Sequence, residues 1–339
     1  MNRRKFITNT IKYSSLTFIG IGMANNLSAK GNSKGLIYTR NKKIIMPHDH
    51  PTIITSTYQS NGKDIKVHAI QTGIISVKQN FLNKKGSGII AKANILLGHK
   101  HADFIPIWAW VIEHTEGIIL IDTGDIEEAD HKDFYKNETI GSKFNLLAMA
   151  LKRKITKDDE LNNQLAKINI KPEQVSKVIL THLHGDHTDG LKFFPLNEIF
   201  VNELEYKHPY GNLPTTYPQW FKPTLYNFSK DRIDYFDNAY AITKTEDLLL
   251  LPTPGHTHHH CSVLFKTDKE HILIAGDTSY NQQQLLDNKF AGANIDFKKS
   301  QDTYNTIKKY ASKYPTIYLP SHDDNSGNRL FNKETIEQT

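Results

Sequence analysis

The sequence predicts a layered α/β or α+β domain that follows an N-terminal extension. Three observations lead to this prediction. From Ile65 onward, short apolar runs are bounded by Gly, Asn and Pro, which is typical of strands separated by turns. Between the later runs, apolar residues recur at helical spacing. Aromatic residues make up 10% of the 339 residues, which is enough bulk for a sizeable core.

Ten segments have the composition of strands, and three have the periodicity of helices. The predicted strands are Lys66–Thr72, Ile89–Leu96, Trp108–Glu113, Ile118–Ile121, Lys177–Thr181, Glu198–Val201, Asp247–Leu251, Ser262–Lys266, Ile272–Ala275 and Thr316–Leu319. The predicted helices are Asp159–Ile168, Asn281–Asp287 and Gln301–Tyr314. Because no internal repeat or second composition regime follows, we predict that residues 65–339 form one domain.

The first 29 residues have the features of a secretory signal peptide. Arg3 and Arg4 precede a bulky apolar pair, an arrangement that resembles the twin-arginine type of signal. The apolar stretch that follows is too short to span a membrane comfortably. We therefore expect an exported protein, periplasmic or secreted, without stable membrane insertion after the signal is removed; an N-terminal anchor or a basic tail are the alternatives. Residues 30–64, which are polar and aperiodic, are predicted to be a leader and linker.

Charge and cysteine content exclude several classes of protein. The formal net charge is +6, but the first 29 residues carry four basic residues and no acidic one. Because the rest of the chain is then close to neutral, nucleic acid is not an expected partner. Cys261 is the only cysteine, which excludes an intrachain disulfide and a cysteine-only zinc site. We expect it to be a small core residue.

The strongest functional signal is the motif His182-Leu183-His184-Gly185-Asp186-His187, directly after a buried-strand pattern. In an extended segment, residues two apart point to the same side, so His182 and His184 can bind one ion. The turn at Gly185 then redirects the chain, so that Asp186 and His187 can face a second ion. Imidazole nitrogens together with a carboxylate suit zinc or another first-row divalent metal.

Further candidate ligands are found downstream. His256, Asp277 and His322 each come shortly after an apolar strand pattern. Each of them alone is as easily a solvated loop residue as a ligand. Their shared position after a strand nevertheless favours a common location at the end of a sheet.

With these residues in this order, the sequence resembles the metallo-β-lactamase superfamily. The histidine-rich motif, then His256, Asp277 and His322, match the family pattern, and residues 119–124 resemble its first motif. The resemblance covers roughly residues 66–325. It implies a four-layer αβ/βα sandwich, in which two mixed β-sheets are flanked by helices, with a dinuclear metal site at one edge.

The resemblance also implies roles for the candidate residues. One ion would be bound by His182, His184, His256 and Asp277, and the other by Asp186, His187, His322 and the shared Asp277. Asp122 would fix the orientation of a ligand histidine. His260 would form hydrogen bonds near the site, whereas His258 and His259 are expected at its rim.

Tyr280, three residues after Asp277, is similar to a tyrosine of the quorum-quenching lactonases, which open N-acyl homoserine lactones. This resemblance implies a hydrolase in which two zinc-type ions hold a bridging hydroxide that opens a lactone ring. Tyr280 would donate a hydrogen bond to the ring carbonyl, and Asp186 would move a proton.

Several alternatives remain open at this point. Other enzymes with such a site are thioesterases, phosphodiesterases and β-lactamases, although the dinuclear β-lactamases generally lack a bridging aspartate. A metal-binding module without catalytic activity is the alternative outside the enzymes. A homodimer is compatible with the sequence. The aromatic segment 206–237 is either a loop packed on its own side chains or a lid or wall of the substrate site.

Overall fold

The computed structural model describes residues 53–86, 88–131, 133–142, 151–229 and 233–337. The predicted signal peptide and most of the predicted leader lie outside these residues. Across the part that is described, no helix combines the length and the apolar character needed to cross a membrane.

Thirteen strands can be assigned within the described ranges, and they form two sheets. The strands are β1 (Ile53–Ser60), β2 (Lys63–Ser76), β3 (Ile105–His114), β4 (Gly117–Ile121), β5 (Lys152–Lys154), β6 (Val175–Ile179), β7 (Glu198–Asn202), β8 (Thr224–Tyr226), β9 (Tyr240–Ala241), β10 (Leu248–Pro252), β11 (Cys261–Lys266), β12 (His271–Gly276) and β13 (Thr316–Pro320). The first sheet has the order β1-β2-β3-β4-β6-β7-β8, with β5 paired to β2, and the second has the order β13-β12-β11-β10-β9.

Both sheets are mixed. In the first, β1 to β4 are antiparallel neighbours, whereas β4, β6, β7 and β8 are parallel. In the second, β9 to β12 are antiparallel, and β12 and β13 are parallel. Because the carboxyl ends of parallel strands meet at one edge of a sheet, the loops that follow β4, β6 and β7 lie side by side.

Eight α-helices are described, and most are short. They are α1 (Gln79–Leu82), α2 (Gly88–Leu97), α3 (Leu161–Lys167), α4 (Gly185–Thr188), α5 (Glu203–Lys207), α6 (Gln282–Asp287), α7 (Phe297–Lys313) and α8 (Ser326–Asn332). Asp296 caps α7, because its side chain accepts a hydrogen bond from the backbone nitrogen of Lys299 at 2.9 Å.

The packing has four layers, as the resemblance implied. A central core lies between the sheets and contains Trp110 of β3 and Val263 of β11. A second core packs the outer face of the first sheet on Leu161 and Leu165 of α3. A third packs the second sheet on Tyr304 and Ile307 of α7, together with other residues. The predicted αβ/βα sandwich of two mixed sheets is therefore confirmed.

Two predictions from the sequence differ from the structure. The segment Ile89–Leu96, predicted as a strand, lies in helix α2, because a short apolar run alone does not distinguish a strand from a helix. Strand β1 lies within residues 30–64, the predicted linker, so the ordered domain begins before residue 65. This strand was missed because it is a sheet edge in which polar residues alternate with buried Ser and Tyr.

Backbone hydrogen bonds join the two sheets at the edge where the candidate site lies. The nitrogen of Cys261, the first residue of β11, donates to the carbonyl oxygen of Thr181 at 3.0 Å. The nitrogen of Trp108 donates to the carbonyl oxygen of Ser321, also at 3.0 Å. Cys261 is fully buried, as predicted.

Candidate metal centre

The loops that follow five strands bring the candidate residues together. Asp122 follows β4, the histidine-rich motif follows β6, His256 follows β10, Asp277 follows β12 and His322 follows β13. Asp277 comes directly after Gly276, which has a φ of +54°. A Cβ atom at Gly276 would lie 2.7 Å from Nε2 of His260, so only glycine fits this turn.

The first group of candidate ligands consists of three imidazoles, those of His182, His184 and His256. Nδ1 of His184 lies 2.9 Å from Nε2 of His182 and 3.0 Å from Nε2 of His256. Three nitrogens so close together have lone pairs that can converge on one ion.

The second group consists of Asp186, His187 and His322. Nε2 of His322 lies 3.3 Å from Oδ2 of Asp186, and Nε2 of His187 lies 4.0 Å from Oδ1 of the same carboxylate. Asp186 is the only member with notable exposure, at 19% of its side chain, so this group faces solvent through its carboxylate.

Asp277 lies between the two groups. Its Oδ2 is 3.3 Å from Nε2 of His256 and 3.3 Å from Nε2 of His322. Its Oδ1 is 3.3 Å from Nε2 of His187. One carboxylate therefore contacts imidazoles of both groups, which is the position that a ligand shared by two ions requires.

Backbone carbonyls orient two of the candidate ligands. Nε2 of His184 donates to the carbonyl oxygen of Tyr210 at 3.1 Å, and Nδ1 of His322 donates to that of Pro106 at 2.9 Å. Because a carbonyl oxygen only accepts, these nitrogens carry the protons. In the neutral rings, the other nitrogen of each then presents its lone pair to the centre.

The side chains of Asp122 and His260 also form hydrogen bonds that orient candidate ligands or their backbone. Oδ2 of Asp122 accepts from Nδ1 of His187 at 2.7 Å, while Oδ1 accepts from the backbone nitrogen of Thr181 at 2.8 Å. His260 accepts from the backbone nitrogen of Asp277 at 3.0 Å through Nε2. Both contacts place these residues where the sequence predicted them, beside candidate ligands.

The electrostatic environment separates the imidazoles into two kinds. Burial, together with the neighbouring imidazoles, holds the pKa of His182 well below its usual value. Burial also lowers the pKa of His322, but the charge of Asp277 and a hydrogen bond to Asp186 outweigh this effect and raise it to about 10. The charges of Asp122 and Asp277 likewise outweigh burial at His187 and raise its pKa well above the usual value.

The residues present fit two divalent ions. Each group offers nitrogen or oxygen atoms within 4.8 Å of one another, and the donor set of imidazole and carboxylate is the one that zinc prefers. Among the described residues, Nε2 of His187 and Oδ1 of Asp277 are buried and face each other at 3.3 Å, and neither makes a hydrogen bond of acceptable geometry. Buried polar atoms are normally satisfied, so these two atoms point to a bound cation.

Tyr280 lies beside both groups. Its ring centroid is 5.0 Å from that of His322 and 6.0 Å from that of His256. Burial raises the pKa of its hydroxyl well above the usual value, so the hydroxyl stays protonated and can act as a donor. Its surroundings on the other side are apolar and include Val77, Leu82 and Ala291.

In the aromatic segment 206–237, of which residues 230–232 are not described, the side chains pack on one another as one interpretation predicts, whereas its role as a lid or wall of the substrate site stays a prediction. Its rings pack on one another, since Phe221 contacts Tyr206 and Tyr217. It also supports the site, because the Tyr217 hydroxyl donates to the carbonyl oxygen of Leu183 at 3.1 Å. His258, which is exposed, contacts the ring of Tyr210 at the rim.

Some contributors to the site were missed in the sequence. The carbonyl groups of Tyr210 and Pro106 leave no trace in residue type, since every residue has one. Thr181 carried a usable signal, because it stands directly before His182 at the end of a strand.

Comparison with known proteins identifies relatives of this chain. The model of the metallo-beta-lactamase superfamily matches residues 102–322. An N-acyl homoserine lactonase of Bacillus sp is 27% identical over 220 residues, which cover 65% of this chain and 82% of that protein. The N-acyl homoserine lactonase AttM of Rhizobium radiobacter is 24% identical over 276 residues, covering 77% of this chain and 94% of AttM.

Solved structures share the fold. An N-acyl homoserine lactone hydrolase with the product N-hexanoyl-L-homoserine bound at its catalytic metal centre has a TM-score of 0.63 and 22% identity, covering 83% of this chain and 100% of that one. The dizinc quorum-quenching lactonase AidC has a TM-score of 0.53 and 16% identity, covering 81% and 92%. Since the family model spans more than half of the sequence and ends at His322, this chain belongs to the metallo-β-lactamase superfamily.

Proposed function

We propose that this protein is a metal-dependent lactonase that opens the ring of N-acyl homoserine lactones. The observation that carries the proposal is the placement of Asp277 between two ligand groups, with Tyr280 against His322. The curated relatives named above are N-acyl homoserine lactonases, which supports the same substrate class.

Two divalent ions held by the two groups would supply an activated water and polarise the substrate carbonyl. In the hydrolysis, the oxygen of water bonds to the carbonyl carbon and the bond from that carbon to the ring oxygen breaks. The protonated hydroxyl of Tyr280 is placed to donate a hydrogen bond to the carbonyl oxygen as its negative charge develops. The product is the open-chain hydroxy acid.

Asp186 is the residue best placed to move the proton. It is the most exposed member of the second group, and its Oδ2 lies 3.3 Å from Nε2 of His322, at the entrance to the centre. As a carboxylate, it can accept the proton of the attacking water and deliver it to the ring oxygen that leaves. Its side chain would thus serve both as a ligand and as a proton carrier.

A hydrolysis panel on metal-quantified protein tests the proposal. It comprises N-acyl homoserine lactones of several chain lengths, thioesters, phosphodiesters and β-lactams. We expect lactone opening to have the highest kcat/KM and to require about two ions per chain. Protein with both ions bound that leaves every lactone intact would contradict the proposal, and a preferred thioester or phosphodiester would identify the alternative. Near-zero metal content in protein supplied with zinc would favour a module without catalytic activity.

We also propose that the protein is exported. The paired Arg3 and Arg4, with the short apolar stretch behind them, support a twin-arginine signal. Cell fractionation of the full chain, with and without Arg3→Lys and Arg4→Lys, tests this proposal. We expect the double variant to stay in the cytoplasm, and an unchanged distribution would contradict export by this route.

A further inference from the structure

Glu205 is a buried acidic residue outside the two ligand groups. It lies in α5, which begins directly after β7, where the Asn202 side chain accepts from the backbone nitrogens of Leu204 at 3.0 Å and Glu205 at 3.2 Å. Because β7 is parallel to β6, α5 begins at the sheet edge that carries the histidine-rich motif. The side chain is 1% exposed, and burial raises its pKa to about 7.

The carboxyl of Glu205 contacts loops from both sheets. Its Oε2 accepts a hydrogen bond from the hydroxyl of Thr257 at 2.8 Å, and Thr257 directly follows His256. The backbone amides of Leu183 and His259 also face this carboxyl and favour its charged form. Leu183 stands between His182 and His184 in the chain, so one carboxyl contacts both segments that supply the first ligand group.

Burying the carboxyl of Glu205 costs free energy, so its place in α5 suggests a role beyond packing. A carboxyl group buried without partners is destabilising, and a neutral or apolar side chain would pack in α5 without that cost. The contacts of Glu205 are directed at loop backbone and at Thr257, not at a basic residue. The carboxyl thus lies between the two loops: Oε2 accepts from Thr257 in one of them, and the backbone amide of Leu183 in the other faces the same group, while Oε1 has no hydrogen bond to any described residue.

We propose that Glu205 is a positioning residue for the metal centre, which holds the His256 loop against the segment His182–His184 and sets the spacing of the first ligand group. The inference rests on the metal centre of the proposed function, but not on its substrate. Residues that orient metal ligands typically affect metal affinity by about 10-fold to 100-fold.

The test measures the two zinc dissociation constants of metal-stripped protein by competition with a chromophoric chelator. We expect Glu205→Ala to weaken one constant by about 10-fold to 100-fold and to leave the other within about threefold. Glu205→Gln keeps one acceptor oxygen, so it should restore most of the loss. The constant that changes should differ from the one affected by Asp122→Asn, because Asp122 supports His187 in the second group.

Two further variants sharpen the test. Thr257→Val removes the hydroxyl donor and should weaken the same constant by a smaller factor, and the double variant with Glu205→Ala should bind no more weakly than Glu205→Ala alone. Glu203→Ala is the matched control, since Glu203 lies in the same helix and pairs with Lys207 at the surface. It should leave both constants unchanged.

Several results would overturn the inference. One such result is that Glu205→Ala leaves both zinc dissociation constants unchanged. Another is that Glu205→Ala weakens the binding of both zinc ions equally and Glu205→Gln does not restore the affinity, because that pattern indicates that Glu205 only fills space in the core. If Glu205→Ala does not fold, Thr257→Val tests the same contact. Zinc affinity equal to that of the wild type in Thr257→Val would then refute the proposal. Wild-type protein that binds two ions but opens no lactone contradicts the proposed function and leaves this inference standing.

Discussion

Asp122 and His187 form a fully buried pair in which the carboxylate accepts a hydrogen bond from Nδ1 of the imidazole at 2.7 Å. Asp122 has a φ of +59°, in the left-handed region that asparagine also tolerates. The pair therefore fixes the direction in which Nε2 of His187 points, and a change at residue 122 can remove the charge without disturbing the backbone.

We expect Asp122→Asn to weaken binding of one of the two ions by about 10-fold, because the amide supports the imidazole less strongly than the carboxylate does. Zinc competition against a chromophoric chelator measures the effect. Circular dichroism should show an unchanged fold. If both ions bind as in the wild type, Asp122 does not orient a ligand.

Asp277→Ala removes the one carboxylate that contacts both ligand groups. We expect the metal content to fall from about two ions per chain to below one, and lactone hydrolysis to be abolished. Elemental analysis and initial rates on the same sample measure both. Asp302→Ala, at an exposed position in α7, is the control and should keep both properties. Retention of two ions by Asp277→Ala would mean that the proposed ligand sharing is wrong.

Tyr280→Phe removes a hydroxyl and keeps the ring that packs against His322. Losing one donor to an oxyanion costs ~10²–10³ in rate, and we expect the smaller effect, about 10-fold to 100-fold, because a metal ion shares the load. The loss should appear mostly in kcat, with both ions still bound. Full lactonase activity of this variant would exclude the proposed role.

Metal binding should release protons. The raised pKa values of His187 and His322 mean that both imidazoles are protonated at pH 7 in metal-stripped protein. Ligation requires neutral rings, so we expect about two protons released per chain at pH 7 and an apparent affinity that rises with pH until it reaches the raised pKa of His322, about 10. Titration calorimetry in buffers of different ionisation enthalpy counts these protons. No release at pH 7 would contradict the charge state inferred for the two imidazoles.

The sequence predicted most of the strands because they are buried on both faces and read as apolar runs, as in Ile118–Ile121. The prediction is wrong for segments in which an apolar run is not a strand, or in which a strand is not an apolar run. Helix α2 is rich in Ile and Leu, a composition that predicts a strand, yet Ile90 and Leu97 are 64% and 73% exposed. Strand β1 is partly polar, a composition that predicts a linker.

The candidate metal ligands could be predicted from the sequence, whereas the residues that support them could not. Imidazole and carboxylate side chains are scarce and chemically specific, so their spacing indicated which residues the fold would bring together. Glu205 and Thr257 gave no such signal, because a glutamate in a short helix and a threonine in a loop are usually exposed. Their relation appears only when the two sheets are packed together.

The arrangement of the ligands has a consequence for how the protein loses its structure. Each proposed ion takes two ligands from the first sheet and two from the second, with Asp277 counted for both. A bound ion therefore stabilises only the form in which the sheets are docked, by RT ln(1 + [M]/Kd) for each site. Neither sheet can separate and keep its ion, so a chelator would lower the free energy of unfolding of the whole sandwich, and added zinc would raise it.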